Sequence, residues 1–442
     1  MNSTPKRWRR SAALLALLTT LHWGQAIAAP ETGAEVESDA GTDTHADIPA
    51  TLDDLRAFSD VFNQVRRNFV DSVDERELIQ AAIRGMLSEL DPHSDYLASE
   101  QYRDLNEVSQ GHYGGVGIRL TTRDGVIRVD AVITDSPADR AGIDPGDMII
   151  AVDGVSVQDR PLSESLDGID GEPGGTVTLR VQHPGQAVRD VVLEREFIKL
   201  PTLSYRDLDR GWGYFRISQF HQDSASDLAG ALASIRDDGI DLAGLVLDLR
   251  GNPGGVLQPA VAIADGFLDE GRIVTTRGRN PTIRLEFDAE PGQWLPDRPI
   301  VVLVDHRSAS ASEVLAGALQ DHGRALIIGE RTFGKGSVQS VLPLRNGGGI
   351  KLTTARYYTP SGRSIQAEGI EPDIVVELSD AAGDDRDDGR EADLAGHLPA
   401  EQRSAAAAAR PATTPASFPV DEIMAILDSA GLLADDLPPP KD

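Results

Sequence analysis

The sequence predicts a multidomain α/β protein with N-terminal helices, an inserted β-rich domain and an α/β core. The chain has 442 residues, enough for two or three domains, and 40% of them are hydrophobic and 26% charged, as in globular proteins. Apolar residues recur at helical steps before residue 90, at two-residue steps from about 113 to 197, and in alternating strand-like and helix-like runs from 200 to 376. These changes of period divide the chain into its expected domains.

The composition excludes several classes of function. The chain carries 42 Lys and Arg against 71 Asp and Glu, a net charge of −29, so we expect no nucleic-acid partner, because a phosphate-binding surface needs basic residues. It has no cysteine, which excludes disulfides, thiolate nucleophiles, Fe–S clusters and a bacterial lipid anchor. Its nine histidines show no metal-ligand spacing. We therefore expect neither a metal site nor a cofactor.

The first 28 residues have the three-part pattern of a secretory signal peptide. Basic residues precede an apolar run at 11–21, and the small residues Ala26 and Ala28 mark a cleavage site after Ala28. The run is too short to span a bilayer, although an uncleaved membrane anchor is the alternative. The pattern predicts export to a bacterial periplasm and no stable membrane span after cleavage. Residues 29–50 are expected to form a disordered lead.

Residues 51–108 are expected to be helical. Between residues 52 and 90, apolar residues recur every three or four positions in two segments, and Asp91-Pro92 ends the second segment. A short amphipathic helix is expected at 420–433, within the last segment, 420–442. These helices are candidates for self-association into a homo-oligomer, although their pattern fits packing on the core equally well.

Residues 109–195 are expected to form a small β-barrel or sandwich. Short apolar runs with period two are each followed there by Gly, Pro or Asp. Two helical stretches, 137–141 and 162–169, lie among them. The predicted strands are 116–120, 127–132, 148–152, 177–182 and 188–193.

Residues 196–378 alternate strand-like and helix-like runs, which predicts a layered α/β core. The predicted strands are 213–217, 244–249, 300–304 and 325–328, and the predicted helices are 224–235, 259–268 and 312–321. The segment that follows, 379–419, is acidic and then rich in Ala and Pro, so it is expected to be a linker.

A serine-rich turn in the core is the first candidate for chemistry. The predicted strand 300–304 is followed by residues 308–312, Ser-Ala-Ser-Ala-Ser, and then by a helix. Small residues let a hydroxyl project at a helix N-terminus, where free N–H groups and the helix dipole favour an oxyanion. The alternative is ordinary helix capping by Ser312.

A lysine between two glycines is the second candidate. The glycines permit close backbone approach, so Lys335 can point inward, and Gln339 lies on the same face if the segment is extended. A lysine can take a proton from a serine only when it is neutral, and burial lowers its pKa in that direction. The loop 248–255 can aim a second backbone N–H at the same oxyanion, or it is a plain turn.

Two other catalytic motifs fit less well. Residues 329–335 match most of a P-loop, but position 336 is Gly where the motif requires Ser or Thr, and a strand-like segment follows where a helix is needed. A Ser–His–Asp triad lacks an obvious base, because His306 is too close in sequence to Ser310 and His322 follows a helix.

Together these segments resemble the carboxyl-terminal processing peptidases, which are PDZ-containing serine peptidases with a Ser–Lys dyad. The resemblance covers roughly residues 52–376, in order. The chain has Asp305 where many members have Asn, which places a charge near the turn but removes no catalytic group. The matching segments are 90–97, 213–220, 247–255, 308–321, 332–339, 353–362 and 369–373.

The resemblance implies a crotonase-like α/β protease core and assigns catalytic roles. In the family pattern Ser310 is the nucleophile, Lys335 is the general base, and Gln339 orients that lysine. The implied oxyanion hole consists of the backbone N–H of Ala311 and that of either Gly254 or Gly255. Resting members of the family can hold the dyad out of alignment, and some need a partner that delivers the substrate.

The β-rich insert resembles a PDZ domain. Residues 113–118 match the loop that presents backbone N–H groups to a peptide's terminal carboxylate. The strand 117–120 would pair with the peptide backbone, and the helix 162–169 would form the other wall of the groove. The alternative is a PDZ domain that only packs on the core. The implied carboxylate-binding residues are Gly115, Val116, Gly117 and Ile118.

The expected function is that of a periplasmic serine endopeptidase, which recognises exposed C-termini of protein substrates and hydrolyses peptide bonds through an acyl-enzyme. The alternative is a non-catalytic PDZ adaptor or scaffold built on an inactive core. The presence of both Ser310 and Lys335 favours the enzyme. The sequence leaves open whether this chain needs a substrate-delivering adaptor.

Overall fold

The computed structural model describes residues 51–123, 126–157, 168–279, 284–376, 389–401, 419–429 and 431–432. The chain divides into two compact units, residues 1–72 and residues 73–442. The expected signal peptide, 1–28, and the expected disordered lead, 29–50, lie outside the described residues. In the part of the chain that is described, no helix has the length and apolar content that a membrane span requires.

The described part of the first unit is the helix α1 (Leu52–Asn68) and the residues beside it. The Thr51 side chain accepts a hydrogen bond from the Asp54 N–H, and the Asp54 carboxylate accepts one from the Thr51 N–H at 2.7 Å. Leu55 and Phe58, which belong to the predicted apolar period, are 61% and 56% exposed. The apolar period of the sequence is thus present on α1, but these two side chains are not buried.

The helices of the second unit are α2 (Glu75–Ser88), α3 (Ser99–Ser109), α4 (Pro137–Arg140), α5 (Ser224–Asp237), α6 (Leu257–Phe267), α7 (Ala311–Asp321) and α8 (Val420–Ser429). Asp74 caps α2, because its carboxylate accepts hydrogen bonds from the N–H groups of Arg76 and Glu77. The sequence did not predict α3 as a separate helix, since its residues are mostly polar and none is buried. α8 ends before residue 433, and Gly431 takes a positive φ of 65°, which is typical of a helix end.

The core of the second unit is a six-stranded sheet in the order β10-β11-β12-β15-β16-β19. β10 is antiparallel to β11, and the other neighbours are parallel. The strands of the unit are β1 (Asp95–Leu97), β2 (His112–Gly115), β3 (Ile118–Arg123), β4 (Val126–Val132), β5 (Met148–Val152), β6 (Val155–Ser156), β7 (Thr176–Gln182), β8 (Arg189–Glu194), β9 (Glu196–Lys199), β10 (Leu203–Asp207), β11 (Trp212–Ile217), β12 (Gly244–Asp248), β13 (Arg272–Gly278), β14 (Arg284–Asp288), β15 (Ile300–Val304), β16 (Ala325–Gly329), β17 (Ser337–Pro343), β18 (Gly349–Tyr358) and β19 (Ile374–Val375).

Every residue of β12, β15 and β16 is buried, because helices cover both faces of this sheet. Successive side chains of a strand point to opposite faces. Leu247 and Val302 pack in the cluster that contains residues of α5, α6 and α7. Val246 and Val301, one position away, pack in the cluster that contains residues of α8. Because β12, β15 and β16 are parallel, the loops that follow them all leave from the same edge of the sheet.

The residues after α8 are hydrogen-bonded to the loop that follows β12. Leu432 is fully buried, and its carbonyl accepts a hydrogen bond from Nη1 of Arg250 at 2.7 Å. Arg250 also binds the buried carboxylate of Asp248 through Nε at 3.0 Å and Nη2 at 2.8 Å. The C-terminal residues thus help to fix the start of the loop 249–255.

A second sheet, entirely antiparallel, has the order β1-β18-β13-β14, with β17 also paired to β18. Of these strands the sequence predicted only β17. β18 links distant parts of the chain, since Lys351 lies opposite Asp95 of β1 and opposite Val341 of β17. This sheet supplies residues to the surroundings of Lys335, as described below.

The inserted β-rich domain has its own antiparallel sheet, β3-β4-β5-β7-β8 with β6 beside β5, and its own hydrophobic cluster. β2 and β9 pair as a two-stranded ribbon at the two ends of the insert. The predicted strand 116–120 begins only at Ile118, because Gly117 takes a φ of 80°. Residues 158–167, which include most of the predicted helix 162–169, lie outside the described residues.

Residues 389–401, here called the C-terminal strap, pack on the core, although the composition of 379–419 predicts a linker. Glu391 begins a short 3-10 turn and is fully buried. Glu401 accepts hydrogen bonds from Nη1 of Arg356 at 2.9 Å and from the hydroxyl of Tyr358 at 2.6 Å. The acidic residues that predicted a linker, at 384–388, lie outside the described residues, whereas Glu391 and Glu401 are bonded to other parts of the second unit. The remainder of 379–418 lies outside the described residues.

Candidate active site

Ser310 lies in a strained turn at the edge of the core sheet. β15 ends at Val304, and the chain turns through residues 305–309 before α7 begins. Ser310 precedes the first residue of α7 and has φ 55° and ψ −111°. A positive φ is uncommon for a residue other than glycine and costs about 1–3 kcal/mol, so such residues persist only where their surroundings hold them. The Ser310 N–H is held by Oε2 of Glu313 at 2.8 Å.

The three serines of this turn differ in what their hydroxyls do. The Ser308 hydroxyl donates to the Leu249 carbonyl at 2.8 Å, and the Ser312 hydroxyl donates to the Asn252 carbonyl at 3.0 Å. Both side chains are fully buried. The Ser310 hydroxyl makes no capping hydrogen bond, and among the described residues it has no other partner. Ser312 therefore does not cap the helix, and Ser310 is the serine of this turn whose hydroxyl is left without a partner in the described part of the chain.

Lys335 lies in an irregular segment between β16 and β17. β17 begins only at Ser337, so the expected extended stretch that would place Lys335 and Gln339 on one face is not present. The backbone approaches closely here, since a Cβ added at Gly336 would lie 2.2 Å from the Gln366 N. Gly334 takes a φ of 98°. Both glycines are thus required by the local geometry, as the sequence predicted.

The surroundings of Lys335 favour its neutral form. Burial lowers the pKa of Lys335 below its ordinary 10.5, and the nearby charge of Lys351 lowers it further. Three carboxylates act in the opposite direction, in the order Glu391, Glu313 and Asp91. The Lys335 pKa is therefore the result of burial acting against acidic neighbours.

Glu313 links the two candidate segments, and the sequence reading considered it only as part of a helix cap. It is fully buried on the first turn of α7. Its carboxylate accepts hydrogen bonds from the N–H groups of Ser310 at 2.8 Å, Gly334 at 2.7 Å and Lys335 at 2.8 Å, and from the Thr332 hydroxyl at 2.5 Å. Burial raises the pKa of Glu313 to about 7. The four hydrogen bonds act in the opposite direction, because they stabilise the carboxylate and so lower the pKa. An acidic residue directly before the apolar run 314–319 was the signal that could have revealed this role.

Gln339 has one free amide atom. Its Nε2 donates to the hydroxyls of Ser337 at 3.2 Å and Thr353 at 2.9 Å, so two neighbouring strands fix the orientation of the amide. Its Oε1 is buried and has no hydrogen-bond partner among the residues that the structure describes. A buried acceptor without a partner is costly, and an amine or a substrate N–H would satisfy it.

The glycine loop after β12 lies against the Ser310 turn. A Cβ added at Gly254 would lie 2.9 Å from the Ser310 Cβ and 3.0 Å from the Ala311 N. The Gly254 N–H donates to Oδ1 of Asn252 at 2.9 Å. The N–H groups of Gly255 and Ala311 have no acceptor among the described residues. Gly254 is thus the glycine in contact with Ser310, and Gly255 is the one with a free donor.

The predicted PDZ loop is packed closely on its own domain. A Cβ added at Gly117 would lie 2.2 Å from the Ser136 Cβ, so only glycine fits there. The N–H groups of Val116 and Gly117 have no acceptor among the described residues. The carboxylate of Asp170 lies near this loop: its Oδ1 would be 2.8 Å from a Cβ added at Gly115.

The structure brings the backbones of Ser310 and Lys335 together through Glu313, and it places Gly254 beside Ser310 and Ala311. It contains no hydrogen bond between the Ser310 hydroxyl and the Lys335 amine, both of which are described. The predicted PDZ residues lie in the inserted domain, apart from these core residues.

Comparison with known protein families gives three matches along the chain. Residues 211–376 match the model of peptidase family S41, and residues 128–183 match a PDZ domain. Residues 17–101 match the N-terminal domain of the activating protease CtpB. The PDZ match begins after the loop 115–118, so it does not test the predicted carboxylate-binding residues.

The chain is also similar to whole proteins. It is 43% identical over 360 residues to a carboxy-terminal-processing protease of Bartonella bacilliformis, covering 80% of this chain and 82% of the relative. It is 41% identical over 310 residues to a carboxyl-terminal-processing protease of Synechocystis, covering 68% and 72%. Among solved structures, the photosystem II D1 C-terminal processing protease matches at 31% identity and a TM-score of 0.43, covering 72% of this chain and 92% of that one.

The core, the PDZ insert and these comparisons define a serine-type peptidase. The mixed α/β architecture agrees with that class. The chain belongs to the family of carboxy-terminal-processing proteases, as the sequence motifs predicted.

Proposed function

We propose that this protein is a periplasmic endopeptidase that binds exposed C-termini through its PDZ domain and cleaves peptide bonds with a Ser310–Lys335 dyad on a crotonase-like core. The observation that carries the proposal is the buried Glu313 carboxylate, which accepts hydrogen bonds from the N–H groups of both residues. Two residues that lie apart in the sequence thereby share one buried anchor.

The chemistry follows from the groups at the site. The neutral Lys335 amine takes the proton from the Ser310 hydroxyl as Oγ bonds to the substrate carbonyl carbon. Lys335 then gives that proton to the leaving amine as the peptide C–N bond breaks, which leaves an acyl-enzyme. A water molecule, deprotonated by Lys335, attacks the ester, and the proton returns to Ser310. The free Gln339 Oε1 supports a role in orienting the amine.

The oxyanion that forms on the carbonyl needs backbone donors. The free N–H of Ala311, at the start of α7, supplies one, with the helix dipole behind it. The second comes from the turn at Gly254 and Gly255, where Gly254 contacts Ser310 and Gly255 has a free N–H. In the PDZ domain, the free N–H groups of Val116 and Gly117 support a carboxylate site that also includes Gly115 and Ile118.

One experiment tests substrate recognition and chemistry together. An unfolded protein with a free, apolar C-terminus and the same protein with an amidated C-terminus are incubated with the full chain, and products are identified by mass spectrometry. We expect faster cleavage of the free C-terminus, and none by Ser310→Ala. Equal cleavage of the two substrates would contradict recognition of the terminal carboxylate.

The proposed location is tested separately. The pattern of residues 1–28 supports cleavage after Ala28 and export. We expect the mature chain in the periplasmic fraction of a bacterial host, with an N-terminus at residue 29 by sequencing. A protein that stays in the cytoplasm with residues 1–28 intact would contradict this part of the proposal.

A further inference from the structure

Glu391 of the C-terminal strap is bonded to the segments on both sides of Lys335. Its N–H donates to the carbonyl of Phe333, two residues before Lys335, at 3.1 Å. Its Oε1 accepts a hydrogen bond from Nε2 of Gln366 at 2.7 Å, and Oε1 of that glutamine accepts one from the N–H of Gly336 at 3.1 Å. Hydrogen bonds therefore connect the strap to the backbone on both sides of Lys335.

The carboxylate of Glu391 is fully buried and charged. Its other oxygen, Oε2, is bonded to Nε2 of His93 at 2.7 Å. The hydrogen bonds from His93 and Gln366, together with the charges of His93 and Lys335, lower the pKa of Glu391 against the effect of burial. A buried carboxylate that accepts two such bonds is a fixed negative charge in a region of low dielectric, where its field acts strongly.

This charge acts on Lys335 through space. Among the described residues, the Lys335 amine has no direct ion pair. The charged groups that influence Lys335 are Lys351 of β18, Glu391 of the strap, Glu313 of α7 and Asp91 of the turn after α2. The Glu391 carboxylate is held near Lys335 by Gln366, which bonds both to it and to the Gly336 N–H. A carboxylate in this position favours the ammonium form, which cannot take a proton from a serine.

We propose that Glu391 is a positioning residue that acts through Lys335: its charge stabilises the ammonium in the resting protein, so that the strap restrains the base. The inference deepens the proposed function and rests on it, because it assumes that Lys335 works as the neutral amine. Displacement of the strap, or neutralisation of Glu391, increases the neutral fraction of Lys335.

The substitution Glu391→Gln removes the charge and keeps an oxygen that can accept from Gln366. Loss of this nearby opposite charge lowers the pKa of Lys335, so its neutral fraction is expected to rise on the acid side of its titration, by about tenfold for each unit that the pKa falls. The acid limb of the profile of kcat/KM against pH is therefore expected to move to lower pH. The change is expected in kcat, with KM unaltered. A residue that only supports the fold would lower the activity at every pH and leave the limb in place.

A direct measurement separates this inference from the proposed function. The chain contains five lysines, so a lysine-labelled Ser310→Ala full-length chain gives a simple NMR spectrum, in which Lys335→Arg identifies the Lys335 resonance. We expect the Lys335 titration to move to lower pH when Glu391→Gln is added. An unchanged or upward-moving titration overturns the inference, even if the enzyme cleaves proteins. A downward move supports it, even if proteolysis fails.

Two further variants control for structure. Glu401→Gln makes the same chemical change on the same strap, where the partners are Arg356 and Tyr358, and it is expected to leave the Lys335 titration unchanged. An equal shift in Glu401→Gln would overturn the role of the Glu391 charge. Glu391→Asp keeps the charge and is expected to titrate close to the parent chain. If Glu391→Gln does not fold, Glu391→Ala removes the same charge with a smaller side chain and is read in the same way.

Discussion

Two glycine turns, one in the core and one in the PDZ domain, are held in different ways. In the core, the turn 251–255 is fixed by side chains: Asp305 accepts from the Gly251 N–H, and Asn252 accepts from the Gly254 N–H, both at 2.9 Å. In the PDZ domain, the loop 115–118 is fixed by backbone contact, since the Gly117 carbonyl accepts from the Ile133 N–H and its Cα lies against Ser136.

The difference shows which kind of substitution should disturb each turn. Buried polar side chains hold the core site, so removing one of their atoms leaves donors unsatisfied and misplaces reacting groups. Close packing holds the PDZ loop, so adding one atom is enough to displace it. We therefore expect changes in the core to alter kcat and changes in the PDZ loop to alter KM.

The largest expected effect is on the proposed dyad. Ser310→Ala and Lys335→Met are each expected to lower kcat by at least about 10⁴-fold, because residues that act as a unit fail together. For the same reason, the double variant is expected to be no slower than either single one. Burst and steady-state kinetics on an unfolded protein measure this. Losses that add in the double variant would show that the two residues act independently.

The pH dependence is the next largest effect. Because burial lowers the pKa of Lys335 below 10.5, and only the neutral amine accepts a proton, kcat/KM is expected to rise with pH and to level off below pH 10.5. On the acid side the rate falls about tenfold per pH unit, which is about 100-fold over two units. A pH–rate profile at constant ionic strength checks this. A limb that falls with rising pH in this range would exclude Lys335 as the base.

Replacing Glu313 tests the anchor of the core site. Glu313→Gln puts an amide N–H₂ where the carboxylate accepts from backbone N–H groups, so we expect kcat to fall about 10²- to 10³-fold and the free energy of unfolding to fall by about 1–3 kcal/mol. The matched control is Glu330→Gln, whose partner is His306 and which has no bond to either candidate residue. Equal losses in both variants would remove any special role for Glu313.

The smallest expected effect is on the PDZ loop. Gly117→Ala adds a Cβ that would lie 2.2 Å from Ser136, at a φ of 80°, so we expect KM to rise about tenfold with kcat unchanged. Gly185→Ala is the control in the same domain, because Gly185 has a φ of 82° but an added Cβ there would have no atom within 4 Å. A fall in kcat without a change in KM would contradict the division of roles between the two sites.

The sequence revealed the residues that belong to recognisable motifs, and it did not reveal those whose role depends on burial. Ser310 and Lys335 stand out because small residues and glycines surround them. Glu313 is visible in the sequence, but its four hydrogen bonds form only when the Lys335 segment folds against α7. Glu391 lies in a stretch whose acidic composition predicts a linker, and only long-range packing makes it buried.

The same distinction holds for the fold. The strands β12, β15 and β16 are continuous apolar runs buried on both faces, so they were predicted closely from the sequence. Most of the antiparallel sheet around β18 was not predicted. β14 is mostly exposed and β18 mostly half-buried, so neither shows the continuous burial of the core strands. The pairing of β18 with β1 and β13 also joins segments that are far apart in the chain.

The φ of 55° at Ser310 has a consequence for the evolution of this protein. Glycine adopts such a conformation without a steric cost, so a chain with Gly at position 310 would be thermally more robust than the parent, although it could not catalyse. Selection for folding alone would therefore favour glycine over serine here. If Ser310 acts as proposed, its hydroxyl is obtained at the expense of the melting temperature.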